Sequence, residues 1–156
     1  MSEIYQTDIE FPTAIQEWGC FFLSILKSLA LMFRPEIWNY GEIVRIYENS
    51  EIDHSLLSDL TVTDAQKLLN DVTPGKVKYW GVASCLHLPA PNEYEVLVYH
   101  RKEADFSHFV LGGGGAFEGK GGVGEVIYDP YSADGSLSVR QGICIGKRIF
   151  QVVEET

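Results

Sequence analysis

The hydrophobic pattern of this chain changes period once, near Thr73-Pro74-Gly75, where proline and glycine punctuate the sequence. Upstream, apolar residues recur at helical spacing. Downstream they fall in runs of about four to eight residues rich in Val, Ile and Tyr, broken by polar, Pro or Gly positions, the pattern of strands. Segregation of helices from strands points to an α+β arrangement rather than a wound parallel sheet, in which the two would alternate. At 156 residues, 46% apolar and 12% aromatic, the chain holds core material for one domain and too little for two, so residues 1–156 read as a single domain.

The segment Cys20 to Met32 (CFFLSILKSLALM) is apolar almost all round, which predicts a helix buried at the centre of the domain. From Pro35 to Tyr47, residues Ile37, Tyr40, Ile43, Val44 and Tyr47 stand at helical spacing, with Pro35 in the first turn. A third helix is expected from Asp64 to about Asn70, opened by a capping box of Thr63 and Gln66. Strands are expected at Lys76–Leu86, Glu95–His100, Ser107–Leu111, Glu125–Tyr128 and Arg148–Val153, joined as a meandering, largely antiparallel sheet of about five strands. Between Gly112 and Gly124, 8 of 13 residues are glycine; ordering them costs much entropy, which predicts a mobile loop.

Twelve basic against 22 acidic residues give a net charge of −10, which opposes phosphate backbones and anionic lipid, so neither a nucleic-acid nor a membrane partner is expected. The acidic surface serves solubility, though it could favour basic peptides. Met1 to Glu10 lacks the basic start of a secretory signal, and the longest apolar stretch, Trp18 to Phe33, is 16 residues with Lys27 inside it, short of the roughly 20 needed to span a bilayer. A cytoplasmic protein is expected. Cys20, Cys85 and Cys144 are an odd set and read as free thiols.

Three positions could carry chemistry. Trp18-Gly19-Cys20 leads directly into the buried helix, and a thiol at a helix start faces unpaired N–H groups and the positive end of the dipole, which favour thiolate. His108 enters an apolar strand in Phe106-Ser107-His108-Phe109-Val110-Leu111, where a base would be rigidly held. Asp129 leaves the next strand in Val126-Ile127-Tyr128-Asp129-Pro130-Tyr131. If the strands flanking the glycine segment pair as a hairpin, the imidazole can donate its second nitrogen to that carboxylate. Each residue also has a plainer reading, as a small core residue, a half-buried histidine and a turn.

The order of these features, a cysteine opening a buried helix, a histidine entering a strand and an aspartate leaving the next, resembles the papain-like cysteine peptidase superfamily. His108-Phe109-Val110-Leu111 followed by Val126-Ile127-Tyr128-Asp129-Pro130 looks like its bacteriocin-processing branch. Gln16-Glu17-Trp18-Gly19-Cys20-Phe21-Phe22, Tyr128-Asp129-Pro130-Tyr131 and Lys147-Arg148-Ile149-Phe150 are closest to a family of short proteins from spirochaete plasmids and prophage-like elements, a likeness that implies no activity. The superfamily resemblance implies N-terminal helices, the central one bearing Cys20, packed on a C-terminal antiparallel sheet. It further implies Cys20 as nucleophile, His108 as general base and acid, and Asp129 as the orienting group, acting on a peptide or protein substrate with no cofactor. The pattern departs from the superfamily at Ala14, where a glutamine would stand six positions before the cysteine; Gln16, four before it, is the available oxyanion donor. Thr13 and Gln16 also form a capping box, which would carry one helix through Cys20, whereas Gly19 argues for a break. The rival expectation is a catalytically inactive papain-like module, phage- or plasmid-related, that recognises a protein partner.

Two further constellations are weaker. Gly114 to Gly121 nearly matches a phosphate-binding loop but has Gly121 where Ser or Thr is required, and a strand follows it where a helix should. Cys85 and His87 stand two apart on a presumed strand, yet neither His54 nor His100 completes a zinc set, so no metal is expected.

Overall fold

A computed structural model describes residues 3–55, 62–104, 106–117, 124–132 and 135–153. The helices are α1 (Thr13–Trp18), α2 (Cys20–Met32), α3 (Tyr40–Ile52), α4 (Ala65–Val72) and α5 (Leu137–Gln141), with 3-10 turns at Pro35–Ile37 and Gly115–Phe117. The strands are β1 (Val77–Ala83), β2 (Glu93–His100), β3 (His108–Gly112), β4 (Val126–Tyr128) and β5 (Ile143–Val152). The α+β class is therefore as expected, and among the described residues no helix is long and apolar enough to cross a membrane.

α2 sits at the centre because its sequence leaves little polar surface. Phe22, Leu23, Ile25, Leu26 and Leu29 are fully buried, and Ser24 and Ser28 satisfy their hydroxyls on the Cys20 and Ile25 carbonyls. Phe21 stacks on Phe109 of β3 at 4.6 Å, and Phe22 meets Tyr47 of α3 edge-on at 6.4 Å, so the helix is packed between sheet and α3. Tyr94 and Phe150 stack at 4.9 Å on the same face of the sheet.

All strand pairs are antiparallel, in the order β1-β5-β2-β3-β4. The expected meander holds only from β2 to β4. β5 inserts between β1 and β2, pairing Val77 with Val152 on one side and Glu93 with Gln151 on the other, because its ten residues offer two complete edges. On the face opposite Tyr94, Glu95 and Lys147 form an ion pair of 2.7 Å at 0% and 1% exposure.

The capping boxes do not form. α1 begins after Pro12 with no side-chain cap, and α4 is capped by Asp64, which accepts from the Lys67 N–H at 2.9 Å. Gln66 instead clamps β1, donating to Val77 O at 2.9 Å and accepting from Tyr79 N at 2.8 Å. The stretch Pro35–Tyr47 divides into a 3-10 turn and α3, whose cap is Asn39 accepting from Glu42 N.

The glycine segment divides as well. Gly112 to Phe117 is packed: a Cβ on Gly114 would lie 2.8 Å from the Tyr94 Cα and one on Gly115 2.4 Å from the Ala90 carbonyl, and Phe117 is buried. Close backbone approach explains these glycines, not mobility. Residues 118–123, the rest of the expected mobile loop, lie outside the described residues.

Candidate active site

The junction of α1 and α2 places Cys20. Gly19 closes α1 by donating its N–H to Ile15 O at 2.9 Å, and a Cβ there would lie 2.5 Å from that same oxygen. Only glycine fits this corner, so the helix breaks where the sequence suggested and Cys20 becomes the first residue of α2. Ser24 ties this end of α2 to β3 with a bond to Cys20 O at 2.7 Å and a longer one to Phe109 O at 3.4 Å.

His108 is the first residue of β3 and is fully buried. β3 and β4 pair with Leu111 opposite Tyr128, which brings Asp129 to the end of the sheet that holds His108. The Nε2–H donates to Asp129 Oδ1 at 2.7 Å. Asp129 also accepts from Tyr131 N on Oδ1 at 2.9 Å and from Ser136 N on Oδ2 at 2.7 Å. A carboxylate with three donors stays charged: burial pushes its pKa up, but the imidazole and the two N–H groups outweigh this and hold it below the usual carboxylate value.

The other ring nitrogen, Nδ1, makes no hydrogen bond of good geometry among the described residues, yet the Cys20 sulfur is close enough to act on the ring. Burial alone would lower the imidazole's pKa; hydrogen bonding and charge from Asp129 and Cys20 reverse this and push it up to about 9. One nitrogen is thereby fixed on Asp129, which leaves Nδ1 to serve a thiol as a base or, protonated, as a donor. Tyr131 covers the assembly, its ring 4.8 Å from the imidazole. Its own pKa is raised by burial, then by the charges of Cys20 and Asp129.

Cys20 opens on a cleft of about 430 Å³ walled by Trp18, Phe21, Phe106, Tyr131 and Arg148. The fold thus brings together Cys20, His108 and Asp129, residues drawn from three separate elements. Gln16 is not among the cleft walls: its Nε2 donates to Phe11 O at 2.8 Å, the tie that holds the chain entering α1. Cys20 opens α2, so the first-turn peptide N–H groups of that helix, which have no helical acceptor, begin at the cysteine's own residue.

Cys85 and His87 follow β1 in a turn rather than sharing a strand face. Cys85 Sγ donates to Cys144 O at 2.9 Å, and His87 Nε2 bonds Glu93 Oε1 at 3.0 Å. Among the described residues no cluster of His, Cys, Asp or Glu could hold a metal ion. Sequence reading missed Gln6, fully buried, whose N–H meets Pro130 O and whose Nε2 meets Gln16 O, so that it links the Asp129 turn to α1. It also missed α5, although Ser136, which caps α5 by accepting from Val139 N, is a readable helix start. No known protein family, curated protein or solved structure matches the chain.

Proposed function

We propose that the protein is a papain-like cysteine hydrolase that cleaves a peptide or related amide bond with Cys20, His108 and Asp129. The observation that carries this reading is the imidazole held by Asp129 at 2.7 Å on Nε2, with Nδ1 left without a hydrogen-bond partner among the described residues and Cys20 acting on the same ring. Cys20 Sγ attacks the carbonyl carbon, and the proton from the thiol resides on His108. The tetrahedral oxyanion is met by N–H groups at the start of α2. As it collapses, His108 protonates the leaving amine and a thioester to Cys20 remains. Water then loses a proton to His108 and attacks the thioester, releasing the acid and restoring the thiol. No step calls for a cofactor.

The rival, a non-catalytic module that binds a protein partner, is favoured by one observation: Gln16 is engaged with Phe11 O. Loss of one oxyanion donor slows acyl transfer by about a hundredfold to a thousandfold, enough to separate a slow enzyme from a binder. The test is iodoacetamide labelling of the intact protein at neutral pH, with peptide-mixture cleavage followed by mass spectrometry in wild type and Cys20→Ala. Cys20 should react well ahead of Cys85 and Cys144, and cleavage should vanish in the variant. Equal slow labelling of all three thiols, with no cleavage dependent on Cys20, supports the rival.

A further inference from the structure

We propose that Arg148 forms an anion subsite beside Cys20, so that the cleft takes acyl donors carrying a carboxylate next to a large apolar or aromatic side chain. This rests on the hydrolase reading and deepens it by naming the substrate class. Arg148, on β5, lines the same cleft as Cys20. Its guanidinium carbon lies 5.7 Å from the centroid of Phe109, whose ring stacks at 4.6 Å on Phe21, the residue that follows Cys20. Two stacked rings therefore link the cation to the nucleophile's own helical turn.

Among the described residues Arg148 has no carboxylate partner, and its hydrogen bond to Lys147 O is long at 3.5 Å. Lys27, Arg34, Arg45 and Lys147 are each paired with a glutamate. Arg101 and Arg140 likewise show no carboxylate partner among the described residues, so what sets Arg148 apart is that its half-buried guanidinium lines the cleft on which Cys20 opens, where a group arriving from outside can meet it. Glu17 also lines the cleft but is exposed at its rim. The planar fork of arginine takes a carboxylate through two parallel hydrogen bonds, and the Phe109 face steadies that plane. Trp18 and Phe106, edge-on at 5.9 Å, supply an aromatic wall for the neighbouring side chain. The overall charge of −10 repels anions at long range, so this preference has to come from short-range contact inside the cleft.

Iodoacetate and iodoacetamide compare an anion with its neutral counterpart at one sulfur, and mass spectrometry of the intact protein reads both rates at Cys20. The iodoacetate-to-iodoacetamide ratio should fall about fivefold in Arg148→Gln and Arg148→Met, and stay within about twofold of wild type in Arg148→Lys. A ratio unchanged in the two neutral variants overturns the subsite. The ratio reports local potential whether or not Cys20 is a fast nucleophile, so slow iodoacetamide labelling sinks the hydrolase reading separately. Blocked peptides then locate the carboxylate by protecting Cys20 from iodoacetamide. Stronger protection by acetyl-phenylalanyl-glycyl-aspartyl amide than by acetyl-phenylalanyl-glycine amide assigns a side-chain carboxylate, and stronger protection by acetyl-phenylalanyl-glycine acid assigns a chain terminus. Equal protection by all three, or protection indifferent to Arg148→Gln, overturns the substrate class.

Discussion

Among the described residues, two histidine–carboxylate pairs lie at the borders of the sheet, and they differ in what else acts on the ring. His108 meets Asp129 at 2.7 Å and is fully buried, with Nδ1 unpartnered among the described residues and Cys20 acting on its ring. His87 meets Glu93 at 3.0 Å with 28% of its side chain exposed, and stacks on Trp80. Glu93 serves structure as well, accepting from Ala90 N and Gln151 Nε2. A cysteine stands two residues from His87 in sequence, but its sulfur bonds Cys144 O instead. Cys20 is remote in sequence from His108 and is brought to it by the fold. Proximity along the chain therefore says little; a nucleophile, base and orienting acid are recognised by which ring nitrogen faces which group.

The sharpest way to break this contrast is to remove each imidazole. His108→Gln should slow iodoacetamide labelling of Cys20 at neutral pH by about a hundredfold or more, whereas His87→Gln should leave it within about twofold. Similar losses in both variants would erase the distinction.

The pairs should also differ in their response to pH. The His108 pKa is pushed up to about 9 from an ordinary 6.5. A raised value stabilises the fold fully below about 6.5, and that contribution is lost as pH climbs through about 9. Asp129, held below its ordinary 3.8, acts in the opposite sense: its contribution is present above 3.8 and is lost as pH falls through the lowered value. Urea unfolding of wild type should weaken by about 3 kcal/mol between pH 6.5 and 9.5, and His108→Gln should be nearly flat there. An NMR titration of the His108 ring should centre near 9 and drop toward 6.5 in Asp129→Asn.

Gly19→Ala tests the corner that aims Cys20. Its new methyl would meet the Ile15 carbonyl at 2.5 Å, and we expect a loss of about 1–3 kcal/mol in urea midpoint analysis together with slower Cys20 labelling. The smallest effect belongs to His87→Gln, about 1 kcal/mol of stability for one partly exposed hydrogen bond.

The parts of the fold legible in sequence were those where burial and period agree. α2 was readable to the residue because an apolar face that wraps a helix leaves only one place to put it, and Cys20, His108 and Asp129 stood at the ends of elements whose types were clear. β5 was half hidden. Its first half has Ile143 and Ile145 exposed and Lys147 buried, the inverse of a hydrophobic-in pattern, because Lys147 is neutralised by Glu95 across the strand pair. Gln66 and Gln16 read as helix caps from local spacing, but Gln66 reaches Val77 O on β1, which only folding brings to it, and Gln16 reaches back to Phe11 O in the segment that enters α1. Arg148 gave no signal beyond its charge, since its meaning depends on Phe109 from another strand.

Strand order has a temporal consequence. β5, ending at Val152, lies between β1 and β2 and carries Arg148, so during synthesis β1 has no neighbour in the sheet until β5 has emerged from the ribosome. α5 and the N–H of Ser136 that grips Asp129 also arrive late. A nascent chain that already displays Cys20 would thus lack the rest of its machinery, and translation order itself would keep the thiol quiet until β5 has been made.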